Sequence, residues 1–240
     1  MQQRVMILDG AMGTTVFSLG FDEQTIRGEL FANHHKDVKN FVDLISLTRP
    51  DTLTDIHRQF LAAGADIVET NTFGASPIGL AEFDLPDLVY DLNVAAVQAA
   101  RQACDEFTKE NPNKPRFVAG AIGPTTKTCS ISPKVEDPGF REVTFHQHVD
   151  SYYAQIAALV DGGVDILFPE TTFDTLNLKA CLFAIKKYFN DHNVNLPVMI
   201  SVTITDEAGR TLTGQTIEAF WNSISPVSYT HLTLPTNREV

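Results

Sequence analysis

"AGADIVETNTF" (residues 63–73) and "GGVDILFPETTF" (162–173) spell one pattern twice. Each ends a helical segment with a small residue and a glycine, sets an aspartate, runs through an apolar strand, and finishes in Glu, Thr and Phe. A strand–helix unit repeated along a chain builds a parallel sheet, because each crossover helix returns the chain to run in the same direction. Repetition of this kind suits a (β/α)8 barrel of the TIM type better than an open sheet.

The rest of the chain extends the pattern. "VMILD" (5–9), "DIVETN" (66–71), "FVAGAIG" (117–123), "DILFPE" (165–170) and "VMISVTIT" (198–205) are short and almost continuously apolar. Strands buried on both faces read this way. Helical periodicity fills the gaps at 51–64, 88–107, 140–163 and 175–189, and a last helix opens near Thr216. The first of these starts after Pro50 and stops at Gly64, the expected punctuation of a helix. About five of the eight βα units of a barrel are therefore expected. The polar segment Ser18–Arg49 reads as an insertion after the first strand.

The chain has 240 residues, with 30 Asp and Glu against 18 Lys and Arg, a formal net charge of -12. No basic cluster is present, which argues against nucleic acid or an anionic membrane as partner. No apolar run approaches the roughly 18 residues of a membrane span. The N-terminal apolar run is too short for a signal peptide. Three widely spaced cysteines form no disulfide framework. Together these features predict a cytoplasmic protein.

In a barrel, active-site groups stand at the C-terminal ends of the strands. Asp9 ends the first strand, Glu69, Asn71 and Thr72 the second, Gly123, Pro124 and Thr125 the third, and Glu170 and Thr171 the fourth. "ILDGAMGTT" (7–15) is no phosphate cradle, since it opens on an acid and lacks the P-loop lysine. Asp9 and Glu170, from different strands, suit an ammonium group instead. Backbone N–H groups around Gly10 and Ala11 can meet a carboxylate, because glycine permits close approach. Such a site holds a free amino acid by both ends. The competing roles are plain ones: turn capping for Asp9, turn closure for Asn71 and Thr72, and a lysine pair for Glu170. His57 reads as a packing or surface residue. His146 and His148, two apart on a helix, point their rings in different directions and make no metal pair. Cys129 reads as an ordinary thiol. No strand ends in a lysine, which weighs against Schiff-base lyase or aldolase chemistry.

Taken together, "ILDGAMGTTV", "GADIVETNTF", "VAGAIGPTTKTCSISP", "PETTFDTLNLKA" and "ISVTITDEAGRTLTGQTIEAF" closely resemble the homocysteine-binding domain of the cobalamin-dependent methionine synthases. The resemblance runs from residue 4 to about 224. "TITDEAGRTLTGQT" is similar to that branch rather than to the betaine- or S-methylmethionine-dependent relatives. The resemblance implies a (β/α)8 barrel that binds homocysteine at its mouth, with the thiolate on zinc. The methyl group comes from methylcobalamin on another module and yields methionine. Cobalamin, folate and reactivation modules are the implied partners. By the same resemblance Asp9 and Glu170 hold the substrate amino group, the backbone at Gly10 and Ala11 holds its carboxylate, and Asn71, Thr72 and Thr125 shape the pocket.

The family's zinc cysteines, in "GLNCA"-like and "GGCCG"-like motifs, have no counterpart. Cys104, Cys129 and Cys181 stand elsewhere, so no metal ligand is assigned. Residues 225–240, "SPVSYTHLTLPTNREV", show no helical period, no buried-strand pattern and no family likeness. The expectation is a partial barrel over 1–224 and a foreign tail over 225–240. Such a chain is expected to be marginally stable and inactive alone. The alternative is an amino-acid-binding stub without catalysis.

Overall fold

The computed structural model describes residues 4–225 and the backbone of residues 231–233. In chain order its helices are α1 (Met12–Ser18), α2 (Glu23–Arg27), α3 (Ile45–Thr48), α4 (Pro50–Ala63), α5 (Pro77–Ala81), α6 (Val89–Glu110), α7 (Phe145–Gly162), α8 (Thr175–His192) and α9 (Ile217–Ile224). Its strands are β1 (Ile67–Glu69), β2 (Phe117–Ile122), β3 (Ile166–Pro169), β4 (Met199–Ser201) and β5 (His231–Thr233). Local chemistry sets the helix limits. Pro50 opens α4, where no N–H is needed, and Gly64 closes it with φ of 116°. α7 starts later than its periodicity suggested. Thr144 and Gln147 form a capping box there. Just upstream, the Arg141 guanidinium donates to the carbonyls of Cys129, Ser130, Pro138 and Phe140, which holds that stretch in a loop.

The fold is mixed α/β with parallel strands. β1, β2 and β3 form one parallel sheet in that order, with Ile67 opposite Phe117 and Ala119 opposite Ile166. β4 and β5 form a second parallel pair. Single bridges, Leu8 to Ile67, Leu167 to Val198 and Thr172 to Val202, connect the pieces. Spatial order therefore follows chain order. The expected first strand, 5–9, is reduced to the bridge at Leu8. Among the described residues it has a neighbour on one side only, and Val5 is 87% exposed. The tail also departs from expectation, since the backbone of His231–Thr233 pairs with Met199–Ser201. The open edge of β4 presents unpaired N–H and C=O groups, and an extended segment satisfies them whatever its apolar pattern.

Strand residues alternate between two apolar surroundings. Val68, Val118, Leu167 and Ile200 pack outward against α6, α7 and α8 in the main core, with Val97, Ile156 and Leu178. Ile67, Ala119, Phe168 and Met199 pack together with Met6 and Leu8 on the inner side. Both faces are apolar, which is why the strands read as continuous apolar runs. The Ser18–Arg49 segment is more than an insertion. Ile26, Val38, Phe41, Leu44 and Ile45 are buried in a second core with Leu53, Ile56, Leu80 and Leu92.

The repeated aspartate also acquires a reason. Asp66 Oδ2 accepts the Ile7 N–H at 2.9 Å, while its own N–H donates to the Ile7 carbonyl. Asp165 Oδ2 accepts the Val118 N–H at 2.8 Å, while its own N–H donates to the Val118 carbonyl. Each closes the lower end of the neighbouring strand, and each is paired with an arginine, Arg4 and Arg101. Among the described residues, no helix is long and apolar enough to cross a membrane.

Candidate functional site

Three strand ends deliver carboxyl groups to one place. Asp9 follows the Leu8 bridge, Glu69 closes β1, and Glu170 follows Pro169 at the end of β3. A cavity of about 400 Å³ opens beside them, lined by Ala11, Met12, Asp43, Glu69, Asn71, Thr72 and Glu170 among others. Glu170 also borders a void of about 10 Å³ against Gly123, Pro124 and Asn177.

The electrostatics follow from burial among like charges. Burial pushes the Asp9 carboxyl up to about 8. The Glu69 N–H on its Oδ1, at 2.9 Å, pulls the other way, and nearby Glu170 adds to the rise. Asp9 Oδ2 is buried without a hydrogen-bond partner. Glu69 is raised by burial and then by the charges of Glu170 and Asp9. Glu170 is raised by burial, against the Thr171 hydroxyl and with the charge of Asp43. Such a group of acids suits a cation, because an ammonium beside them favours their charged forms.

The start of α1 supplies another part of the lining. Ala11 has φ of 56° and stands at the N-cap of α1, whose first-turn N–H groups have no partner within the helix. A Cβ at Gly10 would meet nothing within 4 Å, so glycine there leaves room rather than relieving a clash. Ala11, Asn71, Thr72 and Glu170 line the cavity, whereas Asp9 and Gly10 do not. Asn71 and Thr72 shape it from within the protein: Asn71 Nδ2 donates to the Val42 carbonyl at 2.9 Å, and the Thr72 hydroxyl donates to the Ala121 carbonyl at 2.7 Å. Thr125 does not reach the cavity. Its φ is 63°, and its hydroxyl closes a local turn onto the Lys127 carbonyl.

The sequence reading set Glu69 on the strand-end rim without a substrate role and missed Asp43. Glu69 was visible as a strand-end acid, repeated in the two echoing segments. Asp43 had a weaker signal, a lone acid inside the apolar run "FVDLISL" (41–47). It is 6% exposed and accepts the Gly74 N–H at 2.8 Å.

The donor set does not fit zinc. Among the described residues, no group of three or more His, Cys, Asp or Glu side chains could hold a metal ion. Burial raises the Cys104 thiol to about 12 and the Cys129 thiol to about 11, and raises Cys181 further. Thiolates are what zinc needs, and these thiols resist forming them. His57 and His148 are buried with neither ring nitrogen hydrogen-bonded, while His146 is exposed. His57 and His148 are packing residues.

The comparisons agree with this architecture. The crystal structure of the metallated form of the homocysteine methyltransferase MmuM from Escherichia coli superposes with a TM-score of 0.72 at 20% identity, covering 97% of this chain and 75% of that one. Its oxidized form gives a TM-score of 0.71 at 19% identity, covering 97% and 74%. The family model for homocysteine S-methyltransferase matches residues 6–234. The chain belongs to the homocysteine S-methyltransferase family.

Proposed function

We propose that the cavity beside Asp9, Glu69 and Glu170 binds homocysteine and that the domain presents its thiol for methylation to methionine. The observation that carries this reading is the pairing of opposite chemistries across one cavity. Glu69 and Glu170, from two strands, line the same cavity as Ala11 and Met12 at the start of α1, whose first-turn N–H groups have no partner within the helix. An α-amino acid presents an ammonium and a carboxylate at the spacing of one carbon, and this arrangement meets both.

This chain's residues then have distinct roles. Glu170 and Glu69 contact the ammonium, and Asp9 reinforces their charge. The backbone at Ala11, on the cavity lining, takes the carboxylate, and Gly10 beside it leaves room for the approach. Asn71 and Thr72 hold the loop that forms the wall, and Thr125 belongs to the turn that flanks it. We place the chain in the cobalamin-dependent methionine synthase branch, on the likeness of "TITDEAGRTLTGQT". Methylcobalamin on a separate module would supply the methyl group, and folate and reactivation modules would serve it. Residues 1–224 would form part of a (β/α)8 barrel, with 225–240 apart from it, although the family match runs on to residue 234. Zinc would supply thiol activation in this family, but the residues described here do not hold it, and no step is assigned to it.

Isothermal titration tests the reading. L-Homocysteine is expected to bind, and 4-mercaptobutanoate, which lacks the amino group, is expected to bind at least about tenfold more weakly, as for loss of a charged hydrogen bond. Equal binding of the two would overturn it. The binding-stub reading shares this result and parts from the enzyme when methionine formation is assayed with methylcobalamin.

A further inference from the structure

The Ser18–Arg49 segment does more than pack. From the hydrogen bonds between it and the loop that follows β1, we propose that Asp43 is a positioning residue, which fixes the Thr72–Gly74 turn so that the homocysteine cavity keeps its shape.

The turn is tied down from several sides. Asp43 Oδ1 accepts the Gly74 N–H at 2.8 Å. One residue earlier, Val42 offers its carbonyl to Asn71 Nδ2 at 2.9 Å. Ser46, on α3, donates its hydroxyl to the Asn71 carbonyl at 3.3 Å. On the far side, Gln155 Nε2 of α7 donates to the Thr72 carbonyl at 2.8 Å, and the Gly123 N–H donates to the Phe73 carbonyl at 3.1 Å. The turn is thus a junction between the second core and the ends of β1 and β2. There is no slack at this junction: a Cβ on Gly123 would come within 2.4 Å of the Phe73 carbonyl oxygen, and one on Gly79 within 2.2 Å of the Gly74 carbonyl oxygen. Asp43 is the one buried carboxylate in this set, and among the described residues the Gly74 N–H has no other acceptor.

The inference rests on the homocysteine reading for its ligand, and on hydrogen bonding alone for the clamp. Two substitutions separate its parts. Asp43→Asn keeps an acceptor for Gly74 and removes the charge, whereas Asp43→Ala removes both. Should Asp43→Ala fail to fold, Asp43→Leu fills the space without an acceptor and replaces it. Titration with L-homocysteine is expected to give Asp43→Asn an affinity within about threefold of the parent chain, and Asp43→Ala a loss of about tenfold or more, the effect of one buried charge-assisted hydrogen bond. Amide exchange is expected to quicken at residues 70–75 in Asp43→Ala only, with residues 117–122 of β2 unchanged. Equal weakening by both substitutions would overturn the proposal, because the charge would then act on the ligand directly. Unchanged binding and exchange in Asp43→Ala would overturn it too. If the parent chain itself did not bind L-homocysteine, the homocysteine reading would fall, while exchange at 70–75 would still decide the clamp.

Discussion

A carboxyl group buried beside two others keeps its proton past neutrality until a cation joins it. Asp9, ordinarily at 3.8, is raised to about 8, and Glu69 and Glu170 move in the same direction. The sign of the consequence is fixed. Between these two values the folded state binds more protons than the unfolded one, so stability falls as pH rises. The contribution is fully present below about pH 4 and is lost as pH passes about 8. Glu170→Gln removes one of the competing charges. It is expected to raise the melting temperature at pH 8 more than at pH 5, while weakening amino-acid binding; thermal melts at the two pH values measure this. The thiols offer a second check. Cys104, Cys129 and Cys181 are buried, so a thiol reagent at pH 7.5 is expected to label none of them rapidly before denaturation. Asp9 and Glu170 were legible in the sequence because each ends an apolar strand. Asp43 was not, since its partner Gly74 lies 31 residues away and only the tertiary fold brings them together.

At the scale of elements, apolar periodicity located α4, α6, α7, α8 and α9, and punctuation set most of their ends, whereas the short helices α1, α2, α3 and α5 carried no periodic signal. What periodicity could not supply was the start of α7, where Arg141 donates to the neighbouring carbonyls of Pro138 and Phe140 and to those of Cys129 and Ser130, earlier in the loop. Thr144→Ala removes half of the capping box at an exposed site. It is expected to cost about 1 kcal/mol, as N-cap losses do, measured by denaturant unfolding. The repeated aspartates belong to the sheet rather than to the site. Asp165→Ala strips an acceptor from the Val118 N–H and a partner from Arg101. A loss of about 1–3 kcal/mol in stability is expected. Homocysteine affinity should stay unchanged, because Asp165 stands at the opposite end of β3 from Glu170.

Across the whole molecule, parallel strands lie side by side in chain order, and this much was legible from the repeated βα unit. Strand lengths were not. Edge position shortens the first strand to a bridge at Leu8, and pairing at the β4 edge does not depend on apolar pattern. Val5 and Ile7, 87% and 57% exposed, lie along that first edge. Exposed apolar edges invite association with other chains. Sedimentation velocity is expected to show concentration-dependent self-association, reduced by Val5→Lys combined with Ile7→Lys. Persistence of the association in that double variant would place the contact elsewhere.

The central claim is that a buried acidic cavity receives the ammonium of homocysteine. Calorimetric titration of L-homocysteine near pH 7, repeated in two buffers of different ionisation enthalpy, tests it most directly, because it counts the protons released on binding. Carboxyl groups that give up their protons to the buffer when an ammonium arrives beside them produce net proton release, and Glu170→Gln should release fewer. Binding with no proton release, equal in both proteins, would contradict the account.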